Sequence, residues 1–391
     1  MKKTLTKVLA VVLALSMVVV CFAACGNKTD GSDETSDTFK IGSIGPLTGD
    51  NAVYGKAVQY GAELAVKEIN AAGGINGKQV EFRMGDDEAD PEKSVNAYND
   101  LKDWGMQILA GTVTTGACLA VVDKTKADNM FQITPSASGA DVVKNDNVFQ
   151  VCFTDPNQGI ASADYIADNG IAKKVAVIYN SADAYSTGIY NTFKSEAAEK
   201  GLEIVAAEAF TGDTTDFSSQ LNAAKNGGAE LVFLPIYAAV AASILKQADT
   251  MGYKTTFFGC DGLDGILSID NFDAALAEGT MLLTPFAADA KDEKTQSFVK
   301  AYNEGGYDKA NLNQFAADAY DMIYVIKAAA EKANVTPDMS ISDMCNAMKT
   351  AMTQIQVDGV TGLEMKWAAT GEVNKAPKAV KIVSGAYVAM D

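Results

Sequence analysis

The hydrophobic positions of the chain follow two alternating patterns, short apolar runs and longer stretches with one apolar face. Residues 175–179 (VAVIY) and 231–235 (LVFLP) are apolar throughout, which is typical of strands buried on both faces of a sheet. Stretches with helical spacing lie between most of the runs, and in the first of them the apolar residues recur every three or four positions. The predicted strands are Phe39–Ile44, Gln79–Met84, Gln107–Gly111, Phe131–Thr134, Val175–Tyr179, Glu203–Ala206, Leu231–Leu234 and Thr256–Gly259.

This alternation predicts an α/β fold in which helices cover both faces of parallel sheets. The buried stripe of the first helix is expected to be Val58, Ala62, Ala65 and Ile69. In parallel sheets, ligands bind beyond the carboxyl ends of the strands. We therefore expect any binding residues in the loops that follow the strands.

The N-terminal segment lacks this alternation. Basic residues precede an apolar stretch, Leu9–Val20, that is too short to span a bilayer comfortably, so residues 1–24 are predicted to be a secretory signal peptide. Small residues before Cys25 complete a pattern that resembles a bacterial lipobox, which predicts lipidation of Cys25; an ordinary signal peptidase site is the alternative. Residues 25–38 then form the lipidated cysteine and a flexible acidic tether. The protein is expected outside the cytoplasm, anchored by lipid at a bacterial cell surface or in a periplasm.

Composition excludes several classes of function. The chain of 391 residues has a formal net charge of −18, which disfavours binding to nucleic acid or to anionic lipid. It contains no histidine, so it has no Ser-His or Cys-His nucleophile pair and no imidazole base. We therefore expect a protein that is not an enzyme and needs no cofactor.

The cysteines and the single arginine narrow the chemistry further. After Cys25, the spacing of the remaining cysteines matches no zinc signature, and buried free thiols are expected, with one disulfide as the alternative. Arg83 alternates with apolar neighbours and is expected to face solvent. Any bound carboxylate must then rest on backbone N–H groups and hydroxyls. The four later cysteines are Cys118, Cys152, Cys260 and Cys345.

A glycine-rich turn follows the first predicted strand. Residues 41–49 read IGSIGPLTG and precede a helix, an arrangement that is typical of an anion cradle. The glycine spacing is neither that of a dinucleotide-binding turn nor that of a P-loop, so nucleotide binding is rejected.

The same turn belongs to an ordered set of motifs that resembles a known family. GPLTG at 45–49, EINAAGGINGK at 68–78, TPSAS at 134–138 and DTTDF at 213–217 are similar to the amino-acid-binding proteins of branched-chain amino acid ABC importers. The resemblance covers essentially the whole mature chain. It implies a type I periplasmic-binding-protein fold, in which two Rossmann-like lobes with parallel central sheets are joined by a three-strand hinge and close on a ligand.

The resemblance also implies lobe boundaries. Lobe 1 would hold residues 39–154 and 287–367, and lobe 2 would hold residues 155–286 and 368–391. The expected crossings between the lobes are Phe153–Asn157, Thr284–Ala288 and Lys366–Gly371.

The resemblance implies that the end of the cleft that holds the ligand carboxylate is uncharged. The groups that would bind the carboxylate there are the hydroxyl of Thr115, backbone groups of Ser136 and Ala137, and the hydroxyl of Ser138. Capping of a helix is the alternative role for Thr115 and Ser138. The turn at 45–49 would let the backbone approach the ligand.

The other end would hold an ammonium group. The resemblance implies that Asp261 binds it and that Tyr185 and Tyr237 stack over the ligand, with Tyr54 as an aromatic wall. A turn residue is the alternative reading of Asp261. Phe315 either lines the pocket or packs in the core.

We therefore expect a monomeric binding protein that captures a free neutral α-amino acid, with a branched-chain amino acid as the first candidate. It would deliver the ligand to ABC permease subunits in the membrane. A ligand-binding sensory module, or a binding protein for small amides or aromatic acids, is the alternative.

Overall fold

The structure is a computed structural model, and it describes residues 37–212 and 214–390. Twelve strands form within these residues. They are β1 (Thr38–Gly45), β2 (Gln79–Asp86), β3 (Ile108–Ala110), β4 (Phe131–Thr134), β5 (Val148–Gln150), β6 (Lys174–Asn180), β7 (Glu203–Phe210), β8 (Leu231–Leu234), β9 (Thr256–Gly259), β10 (Met281–Thr284), β11 (Lys378–Val383) and β12 (Ala386–Met390).

The strands form two sheets. The first has the order β2-β1-β3-β4-β5 and is parallel throughout. The second has the order β12-β11-β10-β9-β8-β6-β7, and it is parallel except at one edge, where β11 runs antiparallel to β10 and to β12. The predicted α/β fold with parallel central sheets is therefore confirmed, with an antiparallel edge that the sequence analysis did not include.

Ten α-helices connect and cover the sheets in the described ranges. They are α1 (Ala52–Ala71), α2 (Pro91–Trp104), α3 (Thr115–Asp128), α4 (Asp155–Asp168), α5 (Ala184–Glu199), α6 (Ser218–Gly227), α7 (Ala238–Thr250), α8 (Glu293–Glu304), α9 (Gln314–Ala333) and α10 (Ile341–Met352). The predicted apolar stripe of α1 is confirmed, because all four of its residues are buried.

We call the first sheet with its packed helices lobe 1 and the second sheet with its packed helices lobe 2. Helices α1 and α9 pack along each other beside the first sheet. Their backbones meet at Gly61, where an added Cβ atom would lie 2.0 Å from the carbonyl oxygen of Ala316. Helix α7 connects β8 to β9 and so belongs to lobe 2. The lobe boundaries given above in residue numbers stay a prediction.

The glycine-rich turn at 45–49 does hold an anion, but the anion is a side chain of the protein. Asp86, at the end of β2, accepts hydrogen bonds from the Leu47 N–H (2.8 Å) and the Thr48 hydroxyl (2.6 Å). These bonds lower the pKa of Asp86 despite its partial burial. No residue of this turn lines the central cavity described below, and the expected approach of the turn to a ligand stays a prediction.

Other expectations about single residues can be compared with the structure. Cys118, Cys152, Cys260 and Cys345 are buried free thiols, as expected. Arg83 is exposed, as expected, and it lies over the ring of Trp104. The predicted signal peptide and Cys25 lie outside the described residues. Within the described ranges, no helix is both long and apolar enough to cross a membrane.

Candidate functional site

A small closed cavity lies between the two lobes, at the carboxyl ends of strands from both sheets. Its volume is about 10 Å³, roughly the space of one water molecule. The cavity is lined by Tyr54, Val113, Thr114, Thr115, Ser136, Ser138, Tyr185, Tyr237, Asp261, Gly262 and Phe315.

On the lobe 1 side, the cavity meets the start of α3. The N-cap residue Thr114 makes no side-chain cap, and its buried hydroxyl has no hydrogen-bond partner among the described residues. The Thr115 oxygen accepts from the N–H groups of Ser138 and Gly139, both at 3.2 Å, which leaves its hydroxyl proton available for donation. Unpaired N–H groups, a helix dipole and two hydroxyls together favour an anion at this end.

The loop after β4 supports this end. The Ser136 hydroxyl donates to the carbonyl of Val113 (2.7 Å), so it holds the loop before α3 in place. Ala137 does not line the cavity: it is fully buried, its N–H donates to the Thr134 hydroxyl, and its carbonyl accepts from the Gln150 amide. Both backbone groups of Ala137 thus have partners within lobe 1, and its expected contact with a ligand stays a prediction.

Aromatic rings form the walls. The rings of Tyr185 and Tyr237 are stacked with centroids 4.8 Å apart, and Tyr54 lies tilted against Tyr237 at 5.6 Å. Phe315 meets the Tyr54 ring edge-on at 4.7 Å and lines the cavity. These rings give the cavity an aromatic surface.

On the lobe 2 side, Asp261 follows β9 and is 6% exposed. Its carboxylate accepts from the Tyr185 hydroxyl at 2.7 Å, and its N–H donates to the side-chain oxygen of Gln158 at 3.1 Å. Burial raises the pKa of Asp261 to about 7, although these hydrogen bonds lower it. Burial in the free site therefore disfavours the ionised form of Asp261, and a bound cation would favour that form again.

A second buried carboxyl, Asp155, does not itself line the cavity but lies against Ser138, which does, and the sequence analysis did not single it out. It is the first residue of α4 and 1% exposed, and its Oδ2 atom is buried without a hydrogen-bond partner among the described residues. Burial raises its pKa well above the ordinary value; the Ser138 hydroxyl partly offsets this rise, and Asp261 adds to it. Its position directly before Pro156 is typical of a helix start, which hid any other role.

The two ends of the site thus have opposite preferences. The lobe 1 end offers N–H groups and hydroxyls, whereas the lobe 2 end offers two carboxyls that burial makes unfavourable as anions. Such a site is complementary to a small molecule with an anionic group, a cationic group and an apolar part. Among the described residues, no group of histidine, cysteine and acidic side chains has the arrangement of a metal site.

Comparisons with known proteins agree with the fold. The model of the periplasmic binding protein family matches residues 38–386. A Leu/Ile/Val-binding protein homolog 3 of Brucella melitensis is 33% identical over 301 residues, which cover 76% of this chain and 80% of that protein. A leucine-, isoleucine-, valine-, threonine- and alanine-binding protein of Pseudomonas aeruginosa is 27% identical, covering 80% and 83%.

Solved structures are similar as well. The branched-chain amino acid transporter substrate-binding protein LivJ of Streptococcus pneumoniae, in complex with isoleucine, has a TM-score of 0.80 and 28% identity, covering 90% of this chain and all of that one. A solute-binding protein of an R. palustris ABC transporter, in complex with benzoate, has a TM-score of 0.80 at 20% identity, covering 90% and 95%, which shows the fold alone. The chain belongs to the periplasmic binding protein family, among its branched-chain amino acid-binding members.

Proposed function

We propose that this protein captures a free neutral α-amino acid, with leucine, isoleucine and valine first, and presents it to the permease of an ABC importer. The ligand carboxylate would rest on the start of α3 with the hydroxyls of Thr115 and Ser138. The ammonium would lie between Asp155 and Asp261, and Tyr54, Tyr185 and Tyr237 would enclose the apolar side chain.

The observation that carries the proposal is the buried Asp261 carboxyl that lines the cavity, together with the buried Asp155, which has an oxygen without a partner among the described residues and lies close enough to Asp261 for the two charges to repel each other. Buried charges in proteins are normally paired. The ammonium of an amino acid supplies the missing counter-charge, and its carboxylate takes the opposite, uncharged end. Relatives of similar sequence are named for binding leucine, isoleucine and valine, which supports the same ligand class.

An aromatic acid is the second candidate, since a protein of the same fold was solved with benzoate. Such a ligand has no cationic group. It would leave Asp155 without a partner, so the lobe 2 end favours the amino acid.

The remaining parts of the proposal concern the setting. We propose that the mature protein is a monomer tethered to the outer membrane face by lipid on Cys25, so that it stays near its permease. The polar acidic composition of residues 26–38 suits such a tether. Mass spectrometry of the membrane-bound form tests this, because a diacylglycerol on Cys25 adds a defined mass, and an unmodified N-terminus would contradict it.

Calorimetric titration tests the ligand. The purified protein is unfolded and refolded to remove any carried ligand, then titrated with leucine, isoleucine, valine, phenylalanine, threonine, alanine, short amides and benzoate. We expect one-to-one binding of aliphatic amino acids. Heat from benzoate or an amide, with none from any amino acid, would overturn the proposal.

A further inference from the structure

The hydroxyl of Tyr54 reaches two backbone groups of lobe 2. Tyr54 lies in the first turn of the lobe 1 helix α1 and is 2% exposed. Its hydroxyl donates to the carbonyl of Gly262 at 2.6 Å and accepts from the N–H of Ala238 at 2.7 Å. Ala238 is the first residue of α7, whose N-cap residue, Tyr237, makes no side-chain cap. A lobe 1 side chain therefore caps a lobe 2 helix.

Asp264 makes the reverse contact. It follows β9 in lobe 2, is 4% exposed, and accepts from the N–H of Gln314 at 3.0 Å. Gln314 is the first residue of the lobe 1 helix α9, where Asn313 caps the next two N–H groups, those of Phe315 and Ala316. Asp264 therefore satisfies the one N–H group in this turn that the helix's own cap leaves free.

From this reciprocal arrangement, we propose that Tyr54 and Asp264 are positioning residues that hold the lobes closed, each by capping a helix of the opposite lobe. Each cap joins atoms of two lobes, so both break when the lobes separate. Helix N-terminal N–H groups without a partner are costly when buried and cheap when they face water. The caps thus stabilise the closed state without adding any contact to a ligand.

This proposal goes beyond the proposed function, since it assigns Tyr54 a role through its hydroxyl rather than through its ring. Asp264 does not line the cavity. Its effect on a ligand would pass only through closure.

Amide hydrogen exchange on the ligand-free full chain tests the coupling of the two caps. The N–H groups of Ala238 and Gln314 should be protected to a similar extent. Tyr54→Phe keeps the ring but removes both hydrogen bonds of the hydroxyl, and it should accelerate exchange about tenfold at Ala238 and also at Gln314. Asp264→Ala should do the same at both amides.

Two matched variants serve as controls. Tyr60→Phe removes a hydroxyl on the same helix away from the cavity, and Asp270→Asn removes an exposed charge from the same segment as Asp264. Neither should change exchange at either amide. Acceleration only at the amide next to the substitution, or no protection in the wild type, would overturn the proposal.

Ligand kinetics give a second readout, which rests on the proposed function. With isoleucine as probe, Tyr54→Phe and Asp264→Ala should each speed dissociation about tenfold and leave the association rate nearly unchanged, because the caps form after the ligand has entered. Unchanged dissociation would overturn this role. Absence of isoleucine binding to the wild type would contradict the proposed function. The exchange measurement would still decide whether Tyr54 and Asp264 hold the lobes closed.

Discussion

Two groups of buried carboxyls in the described part of the chain differ in their partners, because a lysine ammonium lies beside one group, whereas the other receives only neutral donors. Asp318 on α9 accepts from the Lys375 ammonium at 2.6 Å, with side-chain exposures of 2% and 1%, and Lys375 also donates to the Thr361 hydroxyl at 2.6 Å. The neighbouring Asp321 accepts from the N–H groups of Val360 and Thr361. We call Asp318 and Asp321 the paired acids.

Asp155 and Asp261, the cavity acids, are as deeply buried but receive only neutral donors among the described residues. Asp261 has the Tyr185 hydroxyl, and Asp155 has an oxygen with no donor. Burial raises the pKa of Asp318 to about 6 although Lys375 lowers it, whereas the pKa of Asp155 rises well above its ordinary value. At Asp318 the chain itself supplies the cation that a buried carboxylate needs, whereas at Asp155 and Asp261 we propose that a ligand supplies it.

The largest effect is expected from breaking the paired acids. Lys375→Met leaves Asp318 buried without its cation, which should lower the free energy of unfolding by about 3–5 kcal/mol. Denaturant unfolding of the ligand-free protein measures this. Lys366→Met, an exposed lysine in the same segment, is the control and should change stability little. A loss below about 1 kcal/mol at Lys375 would contradict the structural role of the pair.

Removing a cavity acid should act on binding instead. Asp261→Ala leaves the ligand ammonium buried without this counter-charge, so amino-acid binding should weaken by about 2–5 kcal/mol while the fold stays intact. Calorimetric titration measures the loss, with Asp270→Asn as the control. Unchanged affinity would show that Asp261 does not bind the ligand.

The two groups can be compared directly with one type of substitution. Asp155→Asn should change the stability of the ligand-free protein by less than about 1 kcal/mol, because no charged partner loses a contact. It should weaken amino-acid binding by about tenfold or more. Asp318→Asn should instead lower the stability of the ligand-free protein, because it leaves Lys375 unpaired, and should change amino-acid binding little. Equal destabilisation by both substitutions would show that the cavity acids are structural after all.

The smallest predicted effect is a pH dependence. The pKa of Asp261 is raised to about 7 in the folded protein, above its unfolded value of about 3.9. Its protonated form therefore stabilises the ligand-free fold at low pH, and this contribution is lost as the pH rises from about 4 to about 7.

Binding should follow the opposite trend, because the ammonium needs the carboxylate. Affinity for an amino acid should be about tenfold weaker at pH 6 than at pH 8, with release of a proton on binding at pH 6. Titrations in two buffers of different ionisation enthalpy measure the proton. Affinity that does not vary over this range would show that no cavity acid titrates with the ligand.

Much of the fold could be predicted from the sequence because buried parallel strands are apolar at nearly every position. Four strands were missed: β5 has three residues, β10 is apolar but has only four, β11 carries lysines at 378 and 381, and β12 is an edge strand with exposed positions. The partner of β11 in the sheet, β10, is distant in the chain, and no local pattern records such a pairing.

The site, too, was predicted only in part from the sequence. The family resemblance indicated Thr115, Ser138 and Asp261, which follow strands, and all three line the cavity. The turn at 45–49 holds the Asp86 carboxylate of another strand, a partner that no local pattern records. Asp155 was missed because a carboxyl before a proline at a helix start has an ordinary local explanation, and only its unpartnered oxygen reveals more.

The central claim is that the cavity acids, Asp155 and Asp261, bind a cationic group of the ligand. The most direct test is calorimetric titration of the wild-type protein with isoleucine and with 3-methylpentanoate, which is the same molecule without its amino group. The account predicts one-to-one binding of isoleucine and a loss of at least about a hundredfold for the acid, because the buried carboxyls would stay unpaired. Equal affinity for the two molecules would contradict it.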